Sequence, residues 1–286
     1  MKNIVWLASY PKSGNTWCRV FLANLLNKSD EPVDLNRLNL GNIFSSRAII
    51  EEQTGYDISE MSAEECDELR CFAFGKLSGT TKGDLFVKSH DAYMPAASGE
   101  NMFPVEVTRA AIYFIRNPFD LTLSFANHLA LSPDATAEKI CDSNFVIAAS
   151  KKKFNPQIRQ RLLSWSGHIN SWTTQADFPL LVVKYEDMLS DPEKEFKKIL
   201  HFLEIDYSEE NYHKSLLLSS FENLKKMEKE RGFKEKPSHC KSFFHVGKSG
   251  YFRNILSEKS IKMIIKAHHE ILIKYNYISE SGEITI

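Results

Sequence analysis

The chain has 286 residues, 43% hydrophobic and 26% charged, and 36 basic residues against 37 acidic ones give a formal net charge of −1. That composition excludes a disordered chain and argues against a broadly polyanion-binding protein of the histone kind. The apolar runs, such as Ala110 to Ile115, are far too short to span a bilayer, and five cysteines without C-x-x-C spacing fit a reduced compartment better than a disulfide framework.

The chain enters Ile4-Val5-Trp6-Leu7-Ala8 with no cleavage-site pattern before it, so a cytoplasmic location is expected, with no membrane segment and no nucleic-acid partner. Ile4 to Ser9 reads as a buried strand. Asn15 to Asn27 reads as a helix with Trp17, Phe21 and Leu25 on one face. Between them stands Tyr10-Pro11-Lys12-Ser13-Gly14-Asn15-Thr16-Trp17. A tight loop feeding a helix N-terminus offers backbone N–H groups and the positive end of the helix dipole to an anion. Gly14 lets backbone approach that anion closely. Ser13, Asn15 and Thr16 add side-chain donors, and Lys12 adds a full charge. The order is not G-x-x-x-x-G-K-[ST], because Asn15 takes the lysine place and Lys12 precedes the glycine. The loop is phosphate-binding in kind without being an ATPase loop.

Residues 28–82 are expected to be a helical, irregular elaboration with an acidic stretch from Glu51 to Glu68. Leu85 to Lys88 reads as a second strand, leading into Ser89-His90. Ala110 to Ile115 reads as a third, ending on Arg116-Asn117-Pro118-Phe119-Asp120, with Ser124 eight residues after Arg116. An arginine at a strand end can fork onto a phosphate, and a serine on the next helix can add a hydroxyl. Leu180 to Lys184 reads as a fourth strand, followed by Tyr185-Glu186-Asp187 and by a helix capped at Asp191-Pro192. Residues 225–254 hold nine basic side chains against three acidic ones and many turn-formers, and Ser257 to Tyr275 reads as a last helix. Continuous apolar strands alternating with helices predict an α/β fold of three layers with a mainly parallel sheet. The whole chain, 1–286, is expected to be a single domain, with 28–82 as the elaboration and 225–254 as a basic lid over the ligand.

The run from Tyr10 to Trp17 resembles the 5′-phosphosulfate loop of the sulfotransferases that use 3′-phosphoadenosine 5′-phosphosulfate (PAPS), with Asn15 where the usual form has threonine. Lys88-Ser89-His90 resembles the family's Lys-x-His, and Arg116 with Ser124 resembles its 3′-phosphate motif. The resemblance implies a P-loop-like fold with Lys12, Ser13, Gly14, Asn15 and Thr16 on the 5′-phosphosulfate. It implies Trp17 and Tyr185 at the adenine, Ser220 and Phe221 around the nucleotide, and Arg116 with Ser124 on the 3′-phosphate. It further implies His90 as general base, Lys12 and Lys88 as cations that stabilise charge on the leaving oxygen, in-line displacement, and no metal. PAPS would be the donor and adenosine 3′,5′-bisphosphate (PAP) the product. The acceptor would be a hydroxyl of a small molecule or natural product.

One stretch departs from the common animal pattern. Where an Arg-Lys-Gly triplet is usual, this chain has His245-Val246-Gly247, with Lys241, Lys248 and Arg253 as candidate replacement cations and Lys248 the nearest. That style is similar to bacterial sulfotransferases acting on natural products such as glycopeptides. A small-molecule kinase with an atypical P-loop and a catalytically silent nucleotide-binding protein stand as alternatives. Phe44, Phe72, Phe74 and Tyr93 fit an apolar acceptor pocket and core packing equally well. The oligomeric state, a homodimer included, is open.

Overall fold

All four apolar runs fold as strands in the computed structural model of the protein, which describes residues 2–27, 31–38, 40–149 and 155–286. In chain order the elements are β1 (Ile4–Ser9), α1 (Asn15–Leu26), β2 (Asn42–Ile43), α2 (Arg47–Thr54), α3 (Ala63–Thr80), β3 (Leu85–Ser89), β4 (Thr108–Ile115), α4 (Pro118–Leu129), α5 (Pro133–Cys141), β5 (Val146–Ile147), β6 (Gln160–Arg161), α6 (Trp165–Thr173), β7 (Leu180–Lys184), α7 (Tyr185–Ser190), α8 (Pro192–Phe202), α9 (Glu209–Leu218), α10 (Phe221–Arg231) and α11 (Glu258–Lys274). Among the described residues no helix is long and apolar enough to cross a membrane. The chain divides into two units that interleave along the sequence. The first holds Met1–Tyr10, Gly41–Tyr113 and Ser143–Val182, and the second holds Pro11–Leu40, Phe114–Asp142 and Val183–Ile286.

The first unit is built on the five-stranded parallel sheet, ordered β2-β3-β1-β4-β7. β1 and β3 pair in register from Ile4↔Leu85 to Ala8↔Ser89. Every residue of β1 and β3 is buried, which is why both read as continuous apolar runs rather than alternating ones. Trp6 centres the core, with Phe44 and Phe103 at ring-centroid distances of 4.9 and 5.0 Å. Phe74 lies 5.0 Å from Phe44 and is fully buried, so both of these aromatics serve packing, whereas Phe72 is exposed. β2 and the short antiparallel pair β5–β6 were not legible as runs, each strand being two residues long. Within the elaboration, residues 28–30 and 39 lie outside the described residues. Its acidic stretch runs from α2 into the first turns of α3, where Ser62 and Glu65 form a reciprocal capping box.

The second unit packs helices. The predicted face of α1 is real: Phe21 stacks on Phe196 of α8 at 4.2 Å, and Trp17 meets the same ring edge-on at 5.6 Å. The basic segment is helical before it is a loop. Ser220 caps α10, whose Lys, Arg and Glu residues favour helix, and Gly232 at φ 70° ends it. The loop that follows is held down by the segment's acids. Buried Glu228 accepts from Phe243 N at 2.6 Å, Phe244 N at 3.0 Å and Ser242 Oγ at 3.1 Å, while Glu235 pairs with Arg19 of α1 at 2.7 Å. Phe233 and Phe244 then join Val20, Leu35, Leu224 and Met227 in one apolar cluster.

Candidate active site

β1 ends at Ser9, and the chain turns through Pro11–Gly14 into α1. Lys12 and Gly14 both take left-handed φ values, 72° and 99°. For lysine that conformation is strained. Gly14 is the α1 N-cap and has no side chain to cap the first-turn amides with, which suits a helix end that meets an anion. A Cβ on Gly14 would meet Tyr185 Cδ2 at 2.8 Å, so the glycine also admits the Tyr185 ring onto the loop. Trp17 meets that ring edge-on at 6.3 Å. Asn15 and Thr16 are buried in the first turn. Ser13 is buried too, and its hydroxyl and the Trp17 indole N–H have no hydrogen-bond partner among the described residues. Leaving such groups unmade costs about 1–3 kcal/mol each. The donor set therefore fits an anionic ligand carrying an aromatic base. Lys12 Nζ stands 3.5 Å from the ring centroid of Phe243.

Arg116 follows β4 and is buried. Its Nη1 donates to the Lys12 carbonyl at 3.0 Å, and its guanidinium lies 4.3 Å from the Tyr185 ring centroid. The two phosphate motifs read from the sequence thus meet in the second unit, with Tyr185 shared between them. Burial pushes the Tyr185 hydroxyl pKa up from its ordinary value. Ser124 sits half-buried on α4. Gly247, at φ 65°, lies so close to Phe221 that a Cβ would meet its ring at 2.6 Å. Ser220 spends its hydroxyl on the α10 cap, accepting from Asn223 N at 3.4 Å. Lys248 is exposed. Two residues not singled out from sequence complete this region. The buried Asp120 carboxylate accepts from Gly250 N at 2.7 Å and Phe252 N at 3.0 Å, and between them the Tyr251 hydroxyl donates to the Asp120 carbonyl at 3.0 Å. The one sequence signal for Asp120 was its place in the Arg116–Asp120 run, and that for Tyr251 was its place at the end of the Val-Gly-x-x-Gly-Tyr stretch.

The first unit carries the other two candidates. Lys88 is buried on β3, in register with Leu7 on one side and Ile43 on the other. His90 follows the strand end, with Nδ1 at 2.8 Å from the Ser9 carbonyl oxygen and 3.2 Å from Ser9 Oγ. A carbonyl only accepts, so Nδ1 carries the proton and Nε2 keeps the lone pair. The His90 carbonyl lies 3.1 Å from Nε2 of His168, and Nδ1 of His168 lies 2.7 Å from the Tyr113 hydroxyl. By the same argument His168 donates through Nε2 and accepts from Tyr113. His168 is fully buried, and burial holds its pKa at about 4. On the other side, Asp91 pairs with fully buried Arg70 at 2.7 Å, accepts from Arg161 N at 2.9 Å, and takes the Trp172 indole N–H on its carbonyl at 3.0 Å. The backbone flanking His90 is therefore pinned on both sides, a polar network that sequence reading did not find. Among the described residues no group of three or more His, Cys, Asp and Glu side chains could hold a metal ion.

The chain as a whole is similar to known proteins. The sulfotransferase domain model matches residues 2–275. Cytosolic sulfotransferase 15 of Arabidopsis thaliana is 25% identical over 280 residues, spanning 92% of this chain and 70% of that protein. Mouse sulfotransferase SULT7A1, solved with PAP, aligns at a TM-score of 0.57 and 21% identity over 99% of this chain and 87% of its own. Retinol dehydratase, solved with androsterone and PAP, aligns at a TM-score of 0.63 and 19% identity over 94% and 80%.

Proposed function

The chain belongs to the sulfotransferase domain family, and we propose that it moves a sulfuryl group from PAPS to a hydroxyl of a small-molecule acceptor, with His90 as the general base. The observation that carries this reading is the 3.0 Å hydrogen bond from Arg116 to the Lys12 carbonyl. It joins two anion motifs that stand on separate strand ends. That arrangement suits a donor phosphorylated at two separate positions better than the single phosphate string of ATP.

The residues divide the work by position. Lys12, Ser13, Gly14, Asn15 and Thr16 hold the 5′ end of the donor, and Arg116, Ser124, Gly247 and Lys248 bear on the 3′-phosphate. Trp17, Tyr185, Ser220 and Phe221 enclose the nucleoside. The bound donor supplies a sulfuryl group on a phosphate leaving group. Lys12 and Lys88 bring fixed positive charge to the oxygen on which negative charge develops. Nε2 of His90 takes the acceptor's hydroxyl proton, and the Ser9 carbonyl stabilises the imidazolium that results by accepting from Nδ1–H. We read residues 1–286 as one sulfotransferase domain whose basic segment, 225–254, covers the donor.

Calorimetric titration tests the donor assignment. PAP is expected to bind in the presence of EDTA and more tightly than ATP with magnesium. Absence of PAP binding, or magnesium-dependent ATP binding as the tighter event, would overturn it in favour of a kinase.

A further inference from the structure

Helix α6 buries Trp165, His168, Ile169 and Trp172 along one face. An imidazole on such a face is costly unless both of its nitrogens are paired. In His168 both are. Nδ1 accepts from the Tyr113 hydroxyl at 2.7 Å, and Nε2 donates its proton to the His90 carbonyl at 3.1 Å. Burial holds the ring at about 4, so at neutral pH it has one proton and one lone pair, and each is committed.

The same helix holds the chain that follows β3 at two further points. One turn after His168, the Trp172 indole N–H donates to the Asp91 carbonyl at 3.0 Å. Residues four apart on a helix stand one above the other, so one face of α6 serves both carbonyls. Ser171 Oγ accepts from Tyr93 N at 2.9 Å and is itself fixed by donating to the His168 carbonyl at 2.8 Å. His90 is thereby held from two directions. The Ser9 carbonyl of β1 takes its ring at Nδ1, and α6 takes its peptide. Together the two contacts set where the Nε2 lone pair of His90 points.

We propose that His168 is a positioning residue for the base, its Nε2–H fixing the His90 peptide and through it the direction of the His90 Nε2 lone pair; this rests on the reading of His90 as general base. His168 acts through His90 alone. The leverage is large, because a misplacement of about 1 Å can cost a reaction about a hundredfold.

The test reads ring nitrogens by NMR in isotope-labelled protein at neutral pH, with signals assigned by their loss in His90→Ala and His168→Gln. In wild type, His168 is protonated at Nε2 and His90 at Nδ1. Two amide variants then separate reach from polarity. His168→Gln puts an amide nitrogen where Nε2 stands and keeps the bond to His90. His168→Asn ends at the Nδ1 position, keeps the Tyr113 hydroxyl and loses His90. The Asn variant loses the His90 preference for Nδ1–H, and the Gln variant keeps it. Transfer of labelled sulfate from PAPS to the alcohol or phenol that wild type labels fastest falls about tenfold or more in kcat with Asn and less than about threefold with Gln, while KM for PAPS stays within about twofold in both. In a His90→Ala background, His168→Asn costs less than about twofold more. His168 protonated at Nδ1 in wild type overturns the positioning role with no variant needed to fold. Equal His90 spectra and equal turnover in folded Asn and Gln variants, or full additivity with His90→Ala, overturn it too. If His90→Ala alone keeps more than about a tenth of the turnover, the base reading fails instead.

Discussion

Nδ1 of His90 lies 2.8 Å from the carbonyl oxygen of Ser9, the last residue of β1. Because β1 and β3 are parallel and in register through Ala8↔Ser89, the strand ends place these two groups side by side. The shorter of the two Ser9 contacts on Nδ1 is therefore backbone, and no side-chain substitution removes it. In chain order that carbonyl stands just ahead of Pro11–Gly14, so the strand that orients the base is also the strand that launches the phosphate loop.

Acid should weaken the fold through two buried histidines. Burial holds both His168 and His268 at about 4, below the ~6.5 of an unfolded chain. Below about pH 6.5 the unfolded chain binds protons that the folded one does not. Their stabilising effect is thus complete above pH 6.5, falls as the pH drops toward 4, and levels off below. Each contributes on the order of 3 kcal/mol. Urea midpoints measured from pH 7 to 4 should fall, and a His168→Gln/His268→Gln variant should show a shallower fall over that window. An unchanged slope in the double variant would contradict this origin.

Gly14 is constrained twice, by φ 99° and by the Tyr185 ring. Gly14→Ala should cost about 1–2 kcal/mol from the left-handed backbone alone, lower the melting temperature by several degrees, and weaken PAP about tenfold or more. Adding Tyr185→Leu should recover part of the stability and none of the affinity. A Gly14→Ala protein that melts and binds like wild type would show that the loop has room to spare.

Glu228 is the anchor of the loop after α10, with three donors on one buried carboxylate. Its replacement by Ala leaves the Phe243 and Phe244 amides without that acceptor, a loss of about 2–4 kcal/mol. Limited trypsinolysis should then cut at exposed Lys241 much faster than in wild type, and PAP should slow the cut in both. Equal cleavage of variant and wild type would remove Glu228 as the anchor. Equal cleavage of wild type with and without PAP would count against 225–254 as the donor's cover.

What could be read ahead of the structure follows from how local the information is. β1 and β7 have the bounds that their apolar runs indicate, Ile4–Ser9 and Leu180–Lys184. The phosphate loop was legible because its chemistry lies within eight consecutive residues. β2 was not, since Asn42–Ile43 pairs with β3 through too few residues to leave a pattern. Asp120 bonds Gly250 across 130 positions, and His168 bonds the His90 carbonyl across 78; no window of sequence holds both partners. The near-neutral charge misled in a similar way. Glu228 and Glu235 are turned inward onto amides and Arg19, while Lys225, Lys226 and Lys229 remain exposed.

The most direct test of the whole account is transfer of radiolabelled sulfate from PAPS to a panel of alcohols and phenols, run with wild type and His90→Ala alongside PAP titrations of both. Wild type should label at least one hydroxyl acceptor. His90→Ala should lose about a hundredfold or more in turnover while binding PAP within twofold of wild type. A His90→Ala protein that keeps more than about a tenth of the turnover, or a wild type that binds PAP and transfers its sulfuryl group only to nitrogen acceptors, would contradict it.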